Sequence, residues 1–213
     1  MVLVQLSAST TETFQFSKDT YVQKGVAANY GTTSPLQFYT LFSLYLEMDI
    51  SSISSKCPTS AFIKLYSTTS IQSYVTGKTV KATRIAANWD EDSVDGNFNP
   101  TKYESVTGSF VSLSLGSGFG NSYYTFDLSN AMLINAINTQ SSKVWFHFIL
   151  LLRNLFEFKI TKKKKLSLYV EETTSTNNPI AFTSREGNTA QRPLLSVDYI
   201  TCDPNALCIE TGK

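Results

Sequence analysis

Between Leu44 and Ile50, the side chains of Leu44, Leu46, Met48 and Ile50 fall on one face and those of Tyr45, Glu47 and Asp49 on the other. A two-residue period of this kind marks a half-buried β-strand, and it returns along most of the chain. Phe14 to Val22 carries it with a break at Lys18 and Asp19. Ala61 to Tyr66, Val75 to Ile85, Phe110 to Leu115, Tyr123 to Leu128, Lys143 to Leu152 and Leu195 to Tyr199 repeat it, and Leu36 to Tyr39 gives a shorter strand. Turn formers separate these runs: Gly25 to Pro35, where Asn29 and Gly31 can take unusual backbone angles, the acidic loop Asn88 to Pro100, and Gly116 to Gly120. The one helical period is Ser129 to Asn138, with Ser129 as N-cap and Met132, Leu133, Ala136 and Ile137 on one side. Many strands and no crossover helices predict an all-β sandwich or barrel with one short helix, and exclude a parallel α/β sheet.

Composition narrows the setting. A chain of 213 residues that is 42% hydrophobic can bury one core of the larger all-β kind. Its charged fraction of 16% lies below the roughly 25% of ordinary soluble domains. Hydroxyls and amides fill the difference, a surface suited to extracellular or wall-associated β-proteins. A net charge of +1 argues against nucleic-acid binding, which needs a large basic surplus. Charge is local instead, with Lys162 to Lys165 in one block and Asp90, Glu91, Asp92 and Asp95 in another. The apolar run Phe146 to Leu152 is interrupted by His147 and ended by Arg153, too short for a membrane span of about 20 residues. No secretory signal is visible in Met1 to Thr10. Of the three cysteines, Cys202 and Cys208 would close a small loop in an oxidising compartment and leave Cys57 free; the alternative is three unpaired thiols.

Several segments in order are similar to a known family: D-T-Y-V at Asp19, N-Y-G at Asn29, Y-L-E-M-D-I-S-S-I from Tyr45, A-F-I-K-L-Y from Ala61, V-K-A-T-R-I-A-A-N-W-D-E-D-S-V from Val80, Y-T-F-D-L-S from Tyr124, then F-T-S-R-E-G and P-L-L-S-V-D-Y. Together they resemble the DNRLRE domain, the disaggregatase-related type of carbohydrate-binding module, over about Thr13 to Tyr199. The resemblance implies an extracellular β-jelly-roll at the cell surface that binds polysaccharide, in some relatives acidic polysaccharide such as alginate. Relatives often carry a second Trp after W-x-E, where this chain has Asp95, Gly96, Asn97 and Phe98.

On that reading, residues 1–12 lead in, 13–200 form the domain and 201–213 are a cysteine-containing tail, the opening of a further segment of a larger secreted protein. Residues 151–170 are an atypical insert. They read either as an added hairpin, with Phe156, Phe158 and Ile160 facing one way and Leu166, Leu168 and Val170 another, or as a stretch foreign to the domain.

Sugar recognition needs flat aromatic faces and planar or cationic donors. Tyr30, Trp89 and Trp145 supply the first, Arg185, Arg192, Lys163 and Lys164 the second. Asp19, Arg185 and Glu186 have a structural alternative, as a lock where the first and last strands meet. In the acidic loop Asp90, Asp92 and Asp95 would be the ligands of a structural Ca²⁺, although their spacing misses the EF-hand pattern and no other cofactor is implied. Nucleophilic catalysis would have only His147 to use, and paired carboxylates would come from Asp90, Glu91, Asp92 and Glu186, so the expectation is a non-catalytic protein. Two rivals stand beside the polysaccharide-binding module. One is a self-associating structural subunit of a matrix, wall or filament. The other is a fragment of, or accessory to, a polysaccharide lyase or hydrolase.

Overall fold

The computed structural model describes residues 9–53, 56–67, 75, 78–112, 121–139, 164–174 and 178–200. Its strands are β1 Thr10–Gln15, β2 Lys18–Gln23, β3 Leu36–Phe38, β4 Phe42–Asp49, β5 Cys57–Ser67, β6 Thr79–Ile85, β7 Lys102–Ser109, β8 Val111–Ser112, β9 Ser122–Asp127, β10 Lys165–Glu172, β11 Ile180–Phe182 and β12 Leu194–Ile200. Among the described residues the longest helix, α1, spans Asn130–Thr139. The strands build two antiparallel sheets. The larger follows the path β1-β12-β5-β11-β3, with β9 on β5 and β8 on β9; the smaller runs β2-β4-β10-β6-β7. Of the sandwich or barrel read from the alternation, the all-β sandwich is the fold.

The inward rows are the apolar rows of the sequence. Leu44, Leu46 and Met48 of β4, Leu166, Leu168 and Val170 of β10, and Val80 and Ala82 of β6 face Ile63 and Leu65 of β5 and Leu195 and Val197 of β12. Phe110 anchors one end, meeting Phe38, Phe126 and Phe182 at centroid distances of 6.0, 5.9 and 5.4 Å. Leu133, Ala136 and Ile137 of α1 join the same core. Helical propensity in so short a segment is weak, so this burial is what holds the helix. Ser129, just before it, has φ 65°, whereas an N-cap residue ordinarily sits in the β region.

Four expectations change. The run Phe14 to Val22 is two strands in different sheets, since β1 pairs with β12 and β2 with β4. Phe16, buried between them, marks the crossing. Second, residues 165–170, the end of the expected insert, do not form an added hairpin on the surface. They start β10, which lies between β4 and β6 with Leu166, Leu168 and Val170 in the core. The proposed partner face at Phe156 to Ile160 lies outside the described residues.

Third, Cys57 is disulfide-bonded rather than free, and its partner lies outside the described residues. Cys57 opens β5 opposite Ile200, the end of β12. Fourth, Asn29 and Gly31 do not take positive φ. Gly31 is required for another reason: a Cβ there would sit 2.2 Å from the Glu91 carbonyl oxygen.

Candidate functional site

The segments D-T-Y-V, N-Y-G, W-D-E-D and S-R-E-G, distant in sequence, converge on Asp19. Asp19 is wholly buried at the start of β2. Its Oδ2 accepts the Arg185 backbone N–H at 2.6 Å, and its own N–H donates to Glu91 Oε1 at 2.6 Å. The Arg185 guanidinium donates to Glu91 Oε2 at 2.8 Å and to the Ser17 carbonyl at 2.8 Å, and pairs with Glu186 at 2.7 Å. Asn29 ties the loops together, donating from Nδ2 to the carbonyls of Glu91 and Val94 at 2.7 and 2.8 Å. Asp19 Oδ1 is buried with no partner. Loss of solvent, and next the charges of Glu186 and Glu91, push the Asp19 carboxyl up to about 7, against the pull of the Arg185 N–H. Burial also raises Glu91.

Of the described residues, Asp19, Glu91 and Glu186 are the one group whose carboxylate oxygens come within 4.8 Å of one another, a spacing an oxygen-ligated cation could use. Arg185 already supplies positive charge among them. Asp90, Asp92 and Asp95 are not gathered in this way. Asp90 and Asp92 are exposed, Asp95 Oδ1 accepts the Asn97 N–H at 2.8 Å, and it is Glu91 between them that turns inward.

The expected sugar contacts are scattered. Trp89 is only 4% exposed, packed on Tyr45 with Lys18 Nζ over its ring at 5.3 Å, so its faces are covered by its own chain. Tyr30 is half-buried and stacks on Tyr21 at 4.5 Å. Arg192 is half-buried at the far end of β9, its carbonyl accepting the Tyr123 hydroxyl at 3.3 Å. Lys164 lies beside the end of β4, where its carbonyl accepts the Ile50 N–H at 2.8 Å. Trp145, Lys163 and His147 lie outside the described residues.

A surface that the alternation did not reveal lies on β7, at the edge of the smaller sheet. Tyr103, Ser105, Thr107 and Ser109 are exposed, and the residues between them, Glu104, Val106 and Gly108, turn inward. At the strand rise, the four outward side chains form a row about 20 Å long. Tyr103 is 51% exposed, with the Arg84 guanidinium 4.2 Å above one face of its ring. Arg84 is fixed in turn by Glu104, which accepts Nε at 2.6 Å and Nη2 at 2.9 Å. A bidentate pair of this kind holds the guanidinium in one orientation. The ring is therefore braced from behind and open in front. Only Val106 of β7 is a large apolar residue facing in, so an apolar/polar period could not show the strand. The signal that could have found it is the recurrence of hydroxyl or aromatic residues at every second position in Y-E-S-V-T-G-S.

Comparison with curated proteins gives no match. Residues 10–149, more than half of the chain, match the description Carbohydrate-binding module family 96. The match spans Asp19, the N-Y-G loop, Glu91 and all of β7, while β10, β11 and β12 beyond it complete both sheets. The chain belongs to carbohydrate-binding module family 96.

Proposed function

We propose that this protein is a non-catalytic module that binds polysaccharide outside the cell, with the chain of sugars lying along β7. The observation that carries this reading is Tyr103, the one exposed aromatic among the large exposed hydrophobics of the described residues, braced by Arg84 and continued by a row of hydroxyls. An aromatic face stacks on the apolar face of a pyranose, and side-chain hydroxyls exchange hydrogen bonds with its hydroxyls. Braced side chains lose little freedom on binding, which favours affinity. The bonded state of Cys57 supports an oxidising, extracellular setting. Asp19, Arg185 and Glu186 act as the lock that holds three loops against the sandwich.

Affinity electrophoresis on a panel of neutral and acidic polysaccharides tests this. Tyr103→Ala should weaken retention by about fivefold or more, the effect of losing roughly 1 kcal/mol at a central aromatic contact. Retention equal to that of the parent protein, or no retention of any polysaccharide by the parent, would overturn it. A preference for acidic glycans is a second reading, favoured by Lys18 and Lys165, two partly exposed ammonium groups that lie 3.4 and 2.7 Å from the Glu47 carboxylate. Retention of acidic chains should then fall steeply between about 0.01 and 1 M salt, as the screening length contracts.

A further inference from the structure

We infer that Asp19, Glu91 and Glu186 hold one Ca²⁺, which clamps the start of β2, the loop after β6 and the turn before β12 to one another. The inference does not rest on the polysaccharide reading. Among the described residues these three carboxylates each offer one oxygen within 4.8 Å of the other two. Oxygens bound to one Ca²⁺ at roughly 2.3–2.6 Å stand at most about 5 Å apart, so the three fit around a single ion of that size. Mg²⁺ is smaller, demands a near-ideal octahedron and gives up its waters reluctantly, so the site favours Ca²⁺.

Clustered carboxylates alone make only a solvated patch, but here two buried oxygens lack partners. Asp19 is 0% exposed, and its Oδ1 accepts no hydrogen bond. Ser184, also 0% exposed, has an unpartnered Oγ. It directly precedes Arg185, whose N–H is fixed on the other oxygen of the same Asp19 carboxylate at 2.6 Å. Buried polar atoms are nearly always paired, so a carboxylate oxygen and a hydroxyl left bare on neighbouring segments point to a bound group. An ion on Asp19 satisfies the carboxylate. Ser184 Oγ is a neutral oxygen of the kind that fills out a calcium shell, with water supplying the remainder. Charge decides the kind of group. Three carboxylates bring −3 and Arg185 returns +1, which leaves −2, the charge a divalent cation cancels. Lys18 is engaged elsewhere, on the Trp89 carbonyl at 2.8 Å and on Glu47 at 3.4 Å. Arg185 competes for the two glutamates, through Glu91 Oε2 and Glu186 Oε1, but not for Asp19 Oδ1. That competition places the expected Kd in the range of about 10⁻⁴–10⁻³ M typical of extracellular calcium modules.

The test is a calcium titration of the full chain, freed of metal with a chelator and held at about pH 8, above the Asp19 value of about 7, where the proton does not compete. Ca²⁺ should bind saturably in calorimetry and shift the amides of Asp19, Glu91, Arg185 and Glu186 in nuclear magnetic resonance spectra. At about 10 mM it should raise the folded-to-unfolded ratio about tenfold for a Kd near 1 mM. Mg²⁺ should bind at least about tenfold more weakly. Asp19→Asn keeps the acceptor for the Arg185 N–H but removes a charge, and should weaken Ca²⁺ about tenfold or more. Glu186→Gln, at an exposed position where folding is not at stake, should do the same. Asp92→Asn, in the acidic loop, should bind as the parent does. The inference is overturned by the absence of any saturable response up to about 20 mM, well above a millimolar Kd. Equal binding of Mg²⁺, or parental affinity in both Asp19→Asn and Glu186→Gln, would also overturn it. So would loss of binding in Asp92→Asn alone, which puts the ion in the acidic loop. Failure of the β7 reading would be seen separately, as unchanged polysaccharide retention by Tyr103→Ala.

Discussion

Asp19 sets the chemistry at the scale of single residues, because its carboxyl is buried among two other carboxylates with Arg185 as the guanidinium between them. Its folded-state pKa, about 7, lies above the ordinary 3.8. The folded protein therefore binds this proton more tightly than the unfolded chain. The resulting stability is fully present below about pH 4 and is lost as pH rises to about 7. Asp19→Asn keeps an acceptor for the Arg185 N–H and removes the titration. The melting temperature of the parent relative to that of Asp19→Asn should fall between pH 4.5 and pH 7.5, the window set by the raised value near 7; a constant difference across this window would show that the carboxyl does not titrate as described. A second buried pair gives a larger effect. Lys78 and Glu172 meet at 2.7 Å with side chains 2% and 0% exposed. Lys78→Met leaves the Glu172 carboxylate buried without its countercharge and should cost about 3–5 kcal/mol in urea unfolding. The sequence singled out Asp19, Arg185 and Glu186 but not Glu91 as their partner or Lys78 as a core residue. A lysine or glutamate in a polar stretch carries no sign of burial until another part of the chain covers it.

For the secondary-structure elements, what could be read depended on how apolar the inward row was. The stretch Leu44 to Ile50 anticipated β4 closely, and Ser129 to Asn138 anticipated α1 to within a residue at each end. β7 was hidden in a stretch whose inward row is Glu104, Val106 and Gly108. A strand at a sheet edge packs on one neighbour and need not carry an apolar face of its own, and this one presents the row on which the proposed function rests. β10 was visible as alternation but assigned to an insert. In the sheet it is the central strand, with β4 on one side and β6 on the other. Deletion of residues 151–170 should therefore abolish the cooperative unfolding transition, not merely trim a surface hairpin. A deletion variant that melts cooperatively near the parent temperature, followed by circular dichroism, would refute the central role of β10.

Across the whole molecule, closure comes from the chain's ends: β1 pairs with β12 in full register, β12 pairs with β5, and Cys57 at the start of β5 is disulfide-bonded. A covalent link there restricts the unfolded chain, so Cys57→Ser should lower stability by about 2–4 kcal/mol, measured as the shift in urea midpoint. Among the described residues β7 has a neighbouring strand on one side only, and this edge bears on assembly. An unpaired edge can accept a neighbour's strand, and sedimentation over a range of concentrations distinguishes a structural subunit, which would associate, from a module that stays monomeric and binds sugar. The sequence by itself determined the class of fold, because burying one face of a strand forces a two-residue period that shows wherever that face is apolar. Tertiary structure alone decided that Trp89 is covered, that Cys57 is bonded, and that three loops meet at Asp19. It alone set Tyr103 with three hydroxyls along the outermost described strand of the smaller sheet. Each of these is a contact between residues far apart in the chain, and the local pattern of side chains holds no record of which distant segment will come to lie against them.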